Sequence, residues 1–285
     1  MIFFCIFIII VIFLIFYIKI ETVITFDKIK SSYNIVRSKN YYICFSILEY
    51  LSKNFCSINY KYLDFIDSKE KTTNMFLKSK ISIKINKLGK TEDEILEKLN
   101  NLCSYAKKRN IFIWISALYK DTLDDEYYYY NKLRERFNNV GITLSCSHSS
   151  VSKKVDSILQ NNGNIRLVKG TYNGDISNYF TINNIFLENA KKLCNSNNYQ
   201  CIATHDFHIL SKLNLNKNKN LELSFYFKNI EYVEKQLNKN KIIIKNISFY
   251  SVYGNKIITF FDEKIKLPYY YKKKILFRPF HNYIY

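Results

Sequence analysis

From about residue 40 onward, short runs of β-branched and aromatic residues alternate with longer stretches of helical periodicity. FSILEYL (45–51), ISIKI (81–85), IFIWIS (111–116), ITLSCS (142–147), IRLVK (165–169), CIATH (201–205), LELSFYF (221–227) and IIIKNISFY (242–250) predict eight strands. Most are too continuously apolar for a sheet with one wet face. Between them lie helices. Thr91 and Glu94 have capping-box spacing, and Ile95, Leu99, Leu102, Cys103 and Ala106 then fall on one helical face. Further helices are predicted over 151–159 and about 183–194. Eight strands with intervening helices fit an α/β fold of the (β/α)8 TIM-barrel type, and no glycine-rich dinucleotide fingerprint follows any strand.

Such a barrel places its chemistry at the C-terminal ends of the strands. Those ends are polar here: Lys84, Ser116, Ser145, Arg166, Lys169, the triplet Thr204, His205 and Asp206, and Tyr250. Three cations, Lys84, Arg166 and Lys169, are expected at one mouth, where burial without an anionic partner is costly. A phosphate-bearing cofactor or a carboxylate substrate would supply that partner; so would a neighbouring Asp or Glu in a structural ion pair.

The first 18 residues, MIFFCIFIIIVIFLIFYI, form an unbroken apolar run. As a helix they would span about 27 Å at ~1.5 Å per residue. No small-residue cleavage site follows, so the segment is expected to be an uncleaved single-pass anchor, with the basic residues Lys19, Lys28, Lys30 and Arg37 holding that side in the cytosol. This divides the chain into an anchor (1–20), a linker or helical lead-in (21–44) and a barrel (45–285). Seven cysteines, an odd number without a C-x-x-C pair, argue against a disulfide framework and a zinc site and for a reducing compartment. No metal site is expected. The net charge of +19 raises nucleic-acid or anionic-lipid binding. Because the lysines are dispersed along the chain and follow no RNP, zinc-finger or basic-helix pattern, they read as the surplus of an A/T-rich coding genome, and no specific nucleic-acid partner is expected.

Four segments in order resemble the proline dehydrogenase family, FAD-dependent (β/α)8 enzymes that oxidise L-proline to pyrroline-5-carboxylate. IRLVKGTY is similar to the family's RLVKGAY, ISIKINKLG to VSIKLSALG, CIATHD to ATHD or ATHN, and FYSVYGN to YVPYG. The resemblance implies FAD as cofactor, with Arg166 beside the isoalloxazine and Lys169, Thr204 and His205 helping to hold the cofactor. It implies Lys84 beside flavin and substrate, Leu167 and Tyr172 walling the proline ring, and Tyr250 covering it. YYYKKKILFRP resembles Y-L-x-R-R-L-x-E-R-P, which puts Lys273 and Lys274 in place of two arginines that clamp the proline carboxylate.

The departures bear on activity. Ser116 stands where the family has an aspartate expected to pair with Lys84, Ser145 where it has a glutamine, and Lys53 and Phe277 where it has glutamates. Lysine keeps the charge of arginine but not its planar fork. Two functions follow. One is a membrane-anchored flavoenzyme that oxidises proline or a similar imino acid and passes electrons to a quinone or other membrane acceptor. The other is a catalytically silent barrel kept as a structural or interaction module on a membrane.

Overall fold

A computed structural model describes residues 26–48, 52–85, 88–117, 122–170, 174–227 and 230–254. The apolar run 1–18 and the lysine cluster at 273–274 lie outside the described residues, and no helix among those described is long and apolar enough to cross a membrane.

A helix over 26–38 (α1) leads into β1 (Tyr42–Leu48), followed by α2 (Ser52–Lys69) and β2 (Lys80–Ile83). The alternation continues through α3 (Glu92–Lys107), β3 (Ile113–Ala117), α4 (Leu123–Arg134), β4 (Val140–Ser145), α5 (Val151–Gln160) and β5 (Ile165–Val168). It ends with α6 (Tyr179–Asn195), β6 (Gln200–Ala203), the short α7 (Phe207–Leu210), β7 (Leu221–Tyr226), α8 (Ile230–Lys239) and β8 (Asn246–Gly254). Each strand pairs in parallel with the next, and β8 pairs with β1 to close an eight-stranded barrel. All eight expected strands are present.

Local chemistry explains the boundaries. The Thr91 hydroxyl accepts from the Glu94 amide at 3.3 Å and opens α3, while the Glu94 carboxylate accepts from the Lys90 amide rather than closing on Thr91. At the other ends, Asn40, Asn110, Asn162 and Lys241 have φ between 52° and 59°, each just after a helix. The amide that follows each of these residues bonds the carbonyl five positions back, as in Ile111 to Ala106 and Ile242 to Leu237. This closure normally falls to glycine, but three asparagines, which tolerate the left-handed region, serve it in a chain with six glycines.

Strand alternation divides the buried residues into two compartments. Outward-facing Ile81, Ile83, Ile113, Ile115, Leu144, Leu167 and Leu223 pack beneath the helices. The inward set is separate and mostly polar, and its apolar cluster is Cys44, Phe112, Trp114, Tyr199 and Cys201. At the N-terminal end of the barrel, Phe76 stacks on Tyr199 at 4.5 Å and Phe112 meets the same ring edge-on at 5.2 Å. Among these rings Lys80 pairs with Glu222 at 2.9 Å, both side chains buried. Glu222 also accepts from Tyr199 and Ser248. Lys80 donates to the carbonyls of Phe76 and Lys78. A charge pair this deep is tolerated because its remaining hydrogen-bonding capacity is used. The plug fills this end of the barrel.

Candidate functional site

Arg166 is inward on β5 and buried, and its side chain crosses the barrel interior. Nε donates to Thr143 Oγ1 on β4 at 2.8 Å, Nη2 to Ser82 Oγ on β2 at 2.8 Å, and Nη1 to Cys44 Sγ on β1 at 3.2 Å. The guanidinium also lies 4.8 Å from the ring of Tyr250 and 5.6 Å from that of Trp114. Burial opposes its charge, but Cys44 and Tyr250 outweigh that cost and its pKa is raised. Among the described residues its partners are hydroxyls, a thiol and aromatic faces, with no carboxylate in an ion pair. Neutral partners satisfy the donors but do not cancel the charge.

Ser82 Oγ also shares a 2.8 Å hydrogen bond with Ser116 Oγ. Ser116, where the resemblance leads one to expect an aspartate beside Lys84, thus joins the Arg166 network. Lys84 follows Ser82 by two positions, so it shares the inward face, and it is buried. Tyr250 is half-buried above Arg166, and burial raises its pKa. Trp114 Nε1 and Ser224 Oγ, both inward and buried, lack a hydrogen-bond partner among the described residues.

A second cluster sits at the rim between β5 and β6. Lys169 pairs with Asp206 at 2.5 Å, and its ammonium lies 5.4 Å from the ring of Tyr179 and 5.8 Å from that of Phe186. Burial works against the Asp206 carboxylate, but Lys169 outweighs it and the pKa is lowered. Thr204 Oγ1 accepts from the Asp206 amide at 3.1 Å, and His205 Nε2 accepts from the Tyr226 amide at 3.3 Å. The acceptor role requires Nε2 to carry no proton.

The three expected cations are therefore split. Arg166 and Lys84 are inward, whereas Lys169 is neutralised by Asp206 at the rim, the structural ion pair that the sequence left open. Leu167 faces the helical layer and is fully buried there, so it does not wall the barrel mouth: one residue after inward Arg166, the pleat turns it outward. Tyr172, Lys273 and Lys274 lie outside the described residues. Thr143, Cys44 and Ser82 were not anticipated as partners of Arg166. The period-two alternation within each strand carried that signal, but the pairing of distant strands did not follow from it.

The loop after β5 is pressed onto the end of β4. Gly170 has φ +96°, and a Cβ there would come 2.0 Å from Ser145 Oγ. Ser145 in turn bonds Ser147 at 2.7 Å, and the Ile176 amide bonds the Ser147 carbonyl. Beyond it, Asp175 accepts from the amide and hydroxyl of Ser149 and lies 3.8 Å from His148.

A flavin can be tested against these residues. Arg166 and the inward Ser224 hydroxyl, which lacks a partner among the described residues, are donors of the kind that suit the acceptor-bearing edge of an isoalloxazine ring, whereas Trp114 packs with Phe112 and Tyr199 toward the plugged end. Lys169 does not offer a free charge to the phosphates, because Asp206 holds it.

No protein-family model and no curated protein matches the sequence. Solved structures do match in fold. A single-residue variant of Bradyrhizobium japonicum proline utilization A superposes with a TM-score of 0.63 at 12% identity, covering 79% of this chain and 28% of its own. A bifunctional proline utilization A protein gives 0.59 at 14%, covering 75% of this chain and 26% of its own. The chain therefore spans little more than a quarter of these neighbours, and the likeness is one of fold.

Proposed function

We propose that the barrel binds FAD at its C-terminal mouth and oxidises L-proline or a similar cyclic imino acid to the corresponding imine. The observation that carries this reading is Arg166, a buried guanidinium with no carboxylate partner among the described residues. The flavin, when bound, would accept the hydride from the carbon beside the substrate nitrogen. Arg166 would set a fixed positive charge where the reduced ring becomes electron-rich, held in place by Ser82, Thr143 and Cys44. Tyr250 and Lys84, both inward, would border the substrate. Thr204 and His205 would border the cofactor. Lys273 and Lys274 would hold the substrate carboxylate, as the sequence resemblance implies. Membrane attachment through 1–20, with the barrel on the cytosolic side and electrons leaving to a quinone or other membrane acceptor, belongs to the same proposal.

The alternative, a silent barrel, is favoured by the Lys169–Asp206 pair and by Ser116 and Ser145 in place of acid and amide. One measurement separates the two. Purified protein mixed with FAD is examined near ~450 nm, where bound flavin absorbs, and proline is then added without oxygen. A retained band that bleaches supports the enzyme. Failure to retain flavin sinks it.

A further inference from the structure

The lysines look dispersed along the sequence, yet the fold gathers many of them at one end. In a (β/α)8 barrel the connectors that lead each helix into the next strand all lie at the N-terminal face. Here the stretches that lead into the strands are residues 39–41, 70–79, 108–112, 135–139, 161–164, 196–199, 217–220 (the last part of the segment that follows α7) and 240–245. They carry eight exposed Lys or Arg residues against a single exposed carboxylate, Glu135. Of the eight, only Lys39 has an ion pair among the described residues, with Glu234 at 2.8 Å. At the same end Ile243 is 75% exposed between Lys241 and Lys245, and Ile35 on α1 is 48% exposed one turn before Lys39. α1 and α8 are neighbours there, through the bonds of Lys39 and Tyr41 to Glu234.

We infer that this N-terminal face docks on an anionic bilayer surface, with Ile243 entering the headgroup layer and the surrounding lysines held by lipid phosphates and carboxylates. Charge complementarity and the exposed isoleucine together select this partner. Single-stranded nucleic acids are gripped by exposed aromatic rings beside the basic groups. The aromatic residues of these connectors, Tyr41, Phe76, Phe112, Phe137 and Tyr199, are all buried or half-buried. An aliphatic side chain amid lysines suits a lipid interface instead. The plugged barrel end behind this face leaves it to surface contact. The inference is independent of flavin binding; with this face on the lipid the mouth points away from the bilayer, so this docked orientation does not serve direct electron transfer to a quinone within the membrane.

Hydrogen–deuterium exchange on the full chain tests it, with vesicles of phosphatidylcholine alone and with vesicles that also contain phosphatidylserine. The readout is local, so insertion of residues 1–18 into either vesicle does not imitate the result. Residues 217–220 and 240–245 are expected to exchange at least ~10-fold more slowly on the anionic vesicles, with the effect lost at high salt. A variant carrying Lys217→Gln, Lys219→Gln, Lys241→Gln and Lys245→Gln should lose the effect, at roughly five-fold per residue. Ile243→Ser should weaken it with the lysines intact. Equal exchange on the two vesicle types overturns the inference. So does protection by a short nucleic acid that matches the anionic vesicles and is indifferent to Ile243→Ser.

Discussion

Arg166 on β5 and Ser82 on β2 meet across the barrel at 2.8 Å, a contact between residues 84 positions apart. It ties together strands on opposite sides of the cylinder and fixes the guanidinium beneath Tyr250. Arg166→Lys keeps the charge, but one ammonium on a flexible stem cannot reach Thr143, Ser82 and Cys44 together. Loss of two of the three bonds should cost about 1–3 kcal/mol, read as a lower denaturant midpoint with unchanged slope. If the proposed function holds, flavin retention falls with it.

The plug at the other end makes a different prediction. Glu222→Gln keeps one acceptor oxygen, enough for Tyr199 or Ser248 but not for both, since they bond different oxygens of the carboxylate, and it leaves Lys80 buried without its counter-charge, at a cost of about 3–5 kcal/mol. Adding Lys80→Met to that variant removes the stranded ammonium and should restore most of the loss. Urea unfolding of the two variants decides the matter; a double variant no better than the single would show that the ion pair is not the source.

The eight strands were legible because each is a run of β-branched and aromatic residues, and the buried face of α3 followed from its spacing. Two boundaries shifted for local reasons. The run at 242–245 looks like strand, but Lys241 in the left-handed region and the Ile242 amide bond to Leu237 make it the close of α8, so β8 begins at Asn246. β1 starts at Tyr42, earlier than FSILEYL suggests, since it pairs in register with Ser248 of β8. The site was legible in part. Inward polar groups could be found by alternation, but that Asp206 takes Lys169 depends on how two adjacent strand ends meet, and the gathering of the lysines at one face depends on topology. Neither is written in local sequence.

Gly170 should tolerate no side chain. Its φ of +96° is unfavourable for any L-residue, and a Cβ would stand 2.0 Å from Ser145 Oγ. Gly170→Ala is expected to lose about 1–3 kcal/mol. A companion change, Ser145→Ala, removes the nearer clashing atom but neither Ser147 Oγ at 2.8 Å nor the strained φ, so it should recover only part of the loss in thermal unfolding.

On the acid side, Asp206 has a lowered pKa in the folded protein because of Lys169, so it binds its proton less readily folded than unfolded. Its contribution is fully present above the unfolded value, near ~3.9, and disappears as the pH falls through the lower folded value. Asp206→Asn keeps an acceptor for the Ile209 amide, which caps α7, and removes the charge together with the oxygen that accepts from Lys169. The variant should be less stable at neutral pH and lose less stability than the wild type on acidification from about pH 5 to pH 2. Parallel slopes would show that the pair with Lys169 contributes nothing.

The buried thiols govern the alkaline side. Burial raises the pKa of Cys103 and Cys146 strongly, and that of Cys194 to about 11, whereas an unfolded thiol titrates near ~8.5. A group with a raised folded pKa contributes stability that is fully present below the unfolded value and is lost as the pH rises toward the folded one. Stability should therefore fall progressively from about pH 8.5 upward, as the unfolded chain alone sheds these protons. The same burial hides the nucleophile, because the thiolate is the reacting form and Cys44, Cys103, Cys146, Cys194 and Cys201 are all buried. Native protein treated with iodoacetamide at pH 8 should leave these five unmodified, and labelling should appear only when denaturant opens the barrel. Peptide mapping reads both results, and rapid native labelling of Cys44 or Cys201 would mean that the barrel interior opens without unfolding.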